Sequence, residues 1–324
     1  MAVPSTTLAT QSPELSSFFV ATYDQIAANF IGPQVFPVIN VAKQSGTFGK
    51  IELEDLLKHT GVIARSPGAG YWRDNFQFTK DTYATEDYGV EEIIDDRESE
   101  MYMDYLDAME IGTARAANKI LTASEMRVAA MFDSIVYTNA SMVQAKGNGA
   151  WSTAGGTPVT DVNGAVQKVY DATGVWPNAI IMNRKAFRAT RLNPQVTGAI
   201  EAAGAGFARR QSDVTTDQLS AVFDLPYVLV AGGSKNTAGP GSAASISQIW
   251  GPHAIVARIA ESGDMREPCV GRQFHWGQDG SVFEGRVETY RSEENRSEII
   301  RVRHDVDEKQ LYLQMACMIL DVIS

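Results

Sequence analysis

The sequence predicts an α+β fold in which a long helix and a strand-rich C-terminal region flank an inserted α/β unit. Three observations lead there. The stretch Asp95 to Phe132 has no proline and carries one continuous apolar stripe. Helix and strand signals alternate from about residue 160 to 262. From Gln273 to Ile319 the chain reads as successive strands.

In chain order, the first element is an arm with one helix expected over Pro13 to Phe30, where Leu15, Phe18, Phe19, Ile26 and Phe30 supply an apolar face and Gly32-Pro33 ends it. Val35 to Val41 reads as an extended segment whose Pro37 restricts it to an edge strand or a surface arm. From Gln44 to Val90 glycines punctuate short extended pieces such as Phe48 to Leu53 and Asn75 to Thr79. Too few apolar residues lie there for an independent core, which marks a projecting, functional loop.

The long helix is read from Met101, Tyr105, Met109, Gly112, Ala116, Ile120, Ala123, Val128 and Met131, which recur at helical spacing. Glu98, Glu100, Asp104 and Asp107 precede Arg115, Lys119 and Arg127, an order that suits the helix dipole. A strut on the order of 55 Å long would follow at 1.5 Å per residue. Its stripe needs a covering partner, and the apolar run Leu311 to Ile319 is the expected one.

A glycine-rich link, Asn139 to Pro158, leads to the α/β unit. There Thr160 or Asp161 is expected to cap a helix ending at Gly174. Ala179 to Met182 reads as a buried strand, and Asn183 can cap a helix running to Leu192 before Pro194. Thr215 to Phe223 is a further helix and Tyr227 to Val230 a strand. Ile246 to Trp250 and Ala254 to Ile259 are expected to pair around Gly251-Pro252. Beyond them, Gln273 to Trp276, Val282 to Tyr290, Glu298 to Val306 and Leu311 to Ile319 are strands, with turns expected at Glu293-Glu294-Asn295 and Asp307-Glu308-Lys309.

The chain has 324 residues, 44% of them hydrophobic, and a net charge of -11, enough for a substantial core. Its pI near 4.9 argues against a dedicated nucleic-acid binder. No secretory signal or membrane span is expected, and Cys269 and Cys317 are expected to be reduced structural thiols.

Catalytic motifs are absent from the sequence: no G-x-S-x-G, H-E-x-x-H, C-x-x-C or G-x-G-x-x-G occurs. His59, His253, His275 and His304 are scattered one per segment. The acidic cluster from Glu86 to Glu100 lacks the spacing of a calcium loop and suits a solvated face or a surface that meets a neighbour's arginines. Arg184, Lys185, Arg188 and Arg191 form one basic helix, facing solvent, an acidic neighbour or DNA. Gly68, Gly70 and Pro67 flank Tyr71, Trp72 and Arg73, a pattern that suits anchors for a partner surface. No catalytic residue, metal or cofactor is expected, and the candidate contact residues are Tyr71, Trp72, Arg73, Glu98, Glu100, Arg184 and Arg188.

Arm, projecting loop, strut helix, inserted α/β unit and closing strands occur in the order that resembles the major capsid proteins of tailed bacteriophages, with the fold named for phage Hong Kong 97. The run VFPVINVAKQSGTFGKIELEDLLK (Val35 to Lys58) looks like the segment entering that family's extended loop. DTYATEDYGVEEIIDDRE (Asp81 to Glu98) looks like its return into the spine helix. TGVWPNAIIMNRKAFRATRLNP (Thr173 to Pro194) resembles the helix-strand-helix of the axial domain, SQIWGPHAIVARI (Ser247 to Ile259) its later strands, and VETYRSEENRSEIIRV (Val287 to Val302) the peripheral strands.

The resemblance implies an N-terminal arm at 1–43, an extended loop at 44–90, a peripheral domain at 91–159 and 263–324, and an axial domain at 160–262. It implies pentamers and hexamers tiling an icosahedral shell around double-stranded DNA, in a virion assembled in the bacterial host cytoplasm. The arm is too short for the fused scaffold of some relatives, so a separate scaffolding protein and a portal are the implied partners, with a decoration protein left open. DNA contact would be weak and nonspecific. An encapsulin-type compartment shell and a soluble α/β enzyme are the alternative readings.

Overall fold

The computed structural model describes residues 10, 11, 15, 17, 19, 27–53, 57, 58, 64–71, 73, 78–102, 107–202, 214–239, 241–281, 283 and 285–323. The first elements are β1 (Thr10–Gln11), α1 (Gly32–Val35), β2 (Val38–Val41), β3 (Ser45–Ile51), β4 (Phe78–Ala84) and β5 (Glu86–Asp95). Then come α2 (Asp96–Tyr102), α3 (Ala108–Asp133), α4 (Ile135–Thr138), β6 (Val143–Ala145), α5 (Pro158–Thr173), β7 (Ala179–Asn183), α6 (Arg184–Leu192), α7 (Pro194–Ala202) and α8 (Thr216–Phe223). The chain finishes through β8 (Tyr227–Ala231), β9 (Ser234–Asn236), β10 (Ile246–Gln248), β11 (Ala254–Ala257), β12 (Gly271–Trp276), β13 (Arg286–Ser292), β14 (Ser297–Gln310) and β15 (Ala316–Leu320). Most of the helix expected at Pro13 to Phe30 lies outside the described residues, although Phe19 and Phe30 are buried.

The strut is shorter than its periodicity suggested. Asp107 is not a helical residue but the N-cap of α3: its backbone is extended and its carboxylate accepts from the N–H groups of Met109 and Glu110. Aspartate satisfies orphan donors well at that position and is a mediocre helix former, so it starts a helix where the pattern alone would continue one. The 26 residues of α3 span about 39 Å at 1.5 Å each. Asp95, expected to open the helix, instead closes β5, and residues 103–106 lie outside the described residues.

One mixed sheet runs β1-β13-β14-β12-β2, and β5 pairs with β14 as well. β14 is the spine of this sheet because alternation gives it two usable faces. Ile300, Val302, His304 and Val306 are buried, while Arg301 and Arg303 share the other face with Glu91 and Glu288. The helix α3 lies across β5 and β14. Gly112 permits the approach, since a Cβ there would stand 3.2 Å from the Cδ1 atoms of both Ile94 and Ile300. The stripe predicted for the helix is therefore covered by this sheet.

The C-terminal strand, expected against the strut, belongs elsewhere. β15 is an interior strand of a second sheet, β6-β15-β11-β7-β8, flanked by β11 and β6. Its apolar character follows from that interior place, where both faces are covered. The turn expected at Asp307-Glu308-Lys309 is also strand. These charges stay in β14 because each finds a partner in the chain: Ala84 N–H donates to Asp307, Arg127 pairs with Glu308 and Lys309 with Asp81.

The α/β unit follows its local signals closely. Asn183 caps α6 by accepting from Ala186 N–H, Gly174 ends α5 with a positive φ of 66°, and Thr215 with Gln218 forms a capping box at α8. The N-cap of α5 is Thr157, one turn before Asp161. Asp161 is buried and accepts from Gly147 N–H, Trp151 Nε1 and Thr157 Oγ1, which ties the glycine-rich link to the helix. β10 pairs with β9 rather than β11, and β11 lies between β7 and β15.

Candidate assembly surfaces

The projecting hairpin is anchored at its base. β3 and β4 pair from Ser45 with Ala84 to Ile51 with Phe78. Tyr83 stacks on Phe274 of β12 at 4.9 Å, Phe48 packs on the same ring at 5.6 Å, and Lys309 holds Asp81. Asp81 is drawn below the usual carboxylate range by Lys309 and the Thr82 N–H, which outweigh its partial burial. Lys50 donates to the Leu311 carbonyl and sits over the Tyr312 ring. Farther out, Leu53 is buried, while Leu57 lies against Gly174 at the end of α5. At the tip Tyr71 is 73% exposed with the Arg65 guanidinium 4.7 Å above its ring, and Arg73 is exposed. Trp72 lies outside the described residues.

The acidic stretch is engaged within the chain. Glu91 pairs with Arg301 at 2.7 Å, Glu92 with Lys119, and Asp96 accepts two bonds from Arg291 at 3.0 and 2.7 Å. The Arg291 guanidinium holds Asp96 below its ordinary pKa. Glu100 is exposed on α2, and the side chain of Glu98 lies outside the described residues. Arg184 and Arg188 are both exposed on α6, and Arg184 Nη2 donates to Asn29 Oδ1 of the arm at 3.3 Å.

A junction that sequence reasoning missed ties arm, strut and α/β unit together. Glu125, buried on α3, accepts from Ile31 N–H at 3.1 Å, Gly32 N–H at 2.6 Å and Trp250 Nε1 at 2.5 Å. Burial pushes its pKa up against the pull of those three donors. Phe36, Phe132 and Trp250 pack beside it with ring centroids 5.5 and 5.7 Å apart. The signal was present in the sequence: a carboxylate on the same helical face as Leu121 and Val128.

Among the described residues, the remaining polar groups form no catalytic constellation. His275 Nδ1 lies 3.0 Å from Asn40 Oδ1, His304 Nδ1 lies 3.0 Å from the Phe283 carbonyl, and the Phe283 ring stands near both. His253 accepts from Asp321 N–H, and His59 lies outside the described residues. Among the described residues, no group of three or more His, Cys, Asp or Glu is placed to hold a metal, and no helix is long and apolar enough to cross a membrane. Cys269 and Cys317 are buried thiols, and burial pushes the latter up to about 11. A groove of about 700 Å³ on the outer sheet face is lined by Arg286, Arg301, Arg303, Glu91 and Glu288, whose charges pair with one another.

The architecture is shared with a phage-related protein from Bordetella bronchiseptica RB50, to which the chain is 23% identical with a TM-score of 0.68 over 97% of this chain and 98% of that one. The capsid of cyanophage P-SCSP1u matches with a TM-score of 0.57 and 11% identity over 88% and 86% of the two chains. The fold is thus that of the Hong Kong 97-type capsid proteins. In sequence, the chain is 22% identical over 280 residues to the major capsid protein of Pseudomonas phage JBD67, covering 85% of this chain and 86% of that protein. No family model matches the chain. The resemblance to tailed-phage major capsid proteins read from the sequence holds in both sequence and fold.

Proposed function

We propose that this chain is the major capsid protein of a tailed bacteriophage, assembling as pentamers and hexamers into an icosahedral shell around double-stranded DNA. The observation that carries the reading is end-to-end correspondence: a named major capsid protein aligns over most of both chains, and the capsid fold spans nearly the whole molecule. The anchored hairpin supports it, because its tip presents Tyr71 and Arg73 to solvent, away from the strand-paired base. In this reading residues 1–43 are the arm, 44–90 the extended loop, 91–159 and 263–324 the peripheral domain, and 160–262 the axial domain, whose sheet takes in β6 and β15 from the two peripheral stretches. Tyr71, Trp72, Arg73, Glu98, Glu100, Arg184 and Arg188 are its proposed inter-subunit contacts. A separate scaffolding protein and a portal are its proposed partners, and assembly takes place in the host cytoplasm.

The test is expression of the full chain, alone and with its scaffolding protein, followed by sedimentation and negative-stain microscopy. Shells or capsomers are expected. A variant lacking residues 65–75 should stay folded, since hairpin pairing covers the base, and should yield neither shells nor capsomers. A wild-type chain that stays monomeric under all these conditions, or normal shells from the deletion variant, would overturn the assignment.

A further inference from the structure

We propose that the exposed basic face of α6 binds the phosphate backbone of duplex DNA without reading its sequence. The inference rests on the shell reading above and gives it a surface for the enclosed genome. In a chain of net charge -11, the nine residues of α6 hold Arg184, Lys185, Arg188 and Arg191 and no carboxylate. Ala186 and Thr190 are buried on its inner side, which turns Arg184, Lys185 and Arg188 outward. The Asn29 side chain holds Arg184 from the arm, and Arg191 stacks over Phe187 at 5.0 Å. Both contacts order long side chains that would otherwise be loose.

Spacing fits the ligand. Arg184 and Arg188 stand one helical turn apart, about 6 Å along the axis, close to two phosphate steps of roughly 3.4 Å on one strand. The helix has no carboxylate to repel a phosphate, and its guanidinium and ammonium groups suit phosphate oxygens. Two cations in the first turn oppose the positive end of the helix dipole, and an external anion relieves that opposition. In the acidic stretch of a second copy, Glu91, Glu92 and Asp96 already hold Arg301, Lys119 and Arg291 of their own chain, which leaves fewer acids there to compete with DNA for this face.

The experiment measures binding of the full chain to a fluorescein-labelled 30-base-pair duplex by anisotropy, from 25 to 200 mM NaCl. Three phosphate contacts predict that log K falls against log salt with a slope of about -2.7, at roughly 0.9 per phosphate. Lys185→Gln with Arg188→Gln should bring the slope to about -0.9 and weaken low-salt binding at least tenfold. A charge-matched control, Lys43→Gln with Arg97→Gln, should match wild type. Each single variant, Lys185→Gln or Arg188→Gln, should reduce the slope by about 0.9, which keeps the test valid if the double variant misfolds. Equal binding by wild type and the α6 variants overturns the proposal. Loss of shells in those variants with DNA binding unchanged overturns it too, and leaves α6 only the subunit contact proposed above. DNA binding of the expected kind by a wild-type chain that forms no shells would support the α6 assignment while removing the shell reading.

Discussion

Glu125 shows how one side chain can join parts distant in sequence. It interrupts the buried side of α3 between Leu121 and Val128, and its two oxygens collect the Ile31 and Gly32 amides and the Trp250 indole. Glu125→Gln keeps the shape but replaces one acceptor with a donor, leaving at least one of those N–H groups unpaired, a loss of about 1–3 kcal/mol. Burial raises the folded-state pKa of Glu125 above its unfolded value. Its contribution is therefore fully present below the unfolded pKa and is lost as pH rises through the raised folded one. Urea melts from pH 4 to 7 should show wild type losing stability relative to Glu125→Gln over that rise, and parallel pH profiles would refute the linkage.

At the scale of the element, α3 separates residues that hold the fold from residues on the surface. Ile120 is 3% exposed and lines a small gap with Phe30, Leu121 and Phe283. Ile120→Asp buries a carboxylate in a gap that the carboxyl of Glu125 also lines, at a cost of several kcal/mol, comparable with the stability of a whole domain. Glu100 projects from α2 into solvent, and Glu100→Gln should fall within the roughly 0.5 kcal/mol typical of surface changes. Circular dichroism melts of the two variants check the contrast, and equal stability would mean that the buried face of α3 is misassigned. The hairpin follows the same logic. Its base carries the stacked ring Tyr83 and the Asp81–Lys309 pair, so the part near the sheet is fixed while Tyr71 and Arg73 farther out are exposed.

Across the whole molecule, chain order and spatial order diverge at the end. β14 completes the sheet under α3, and a few residues later β15 enters the other sheet between β6 and β11. One C-terminal segment thus closes both sheets. Truncation after Gln310 should unfold the α/β unit, because Ala316, Cys317, Met318 and Ile319 are fully buried in the interior of its sheet. Hydrogen exchange would check this as lost protection in β7 and β11, together with loss of soluble protein. Retained protection there would mean that β15 is dispensable.

By itself the sequence determined what local chemistry can specify. Asn183, Gly174 and the Thr215–Gln218 box set helix ends through hydrogen bonds within a few residues, and Ala179 to Met182 reads as a buried strand from its continuous apolar run. The order of parts made the capsid resemblance legible, and among the candidate contacts the exposed Tyr71, Arg73, Glu100, Arg184 and Arg188 could be named from their residue type and surroundings. Tertiary structure decided what depends on partners far along the chain. The break at Asp107, the strand through Asp307 to Lys309, the placement of β15 and the three-way junction at Glu125 each turn on a cap or contact that hydrophobic period does not encode. A periodic pattern states that a face will be buried, but which surface covers it is settled only when the whole chain has packed.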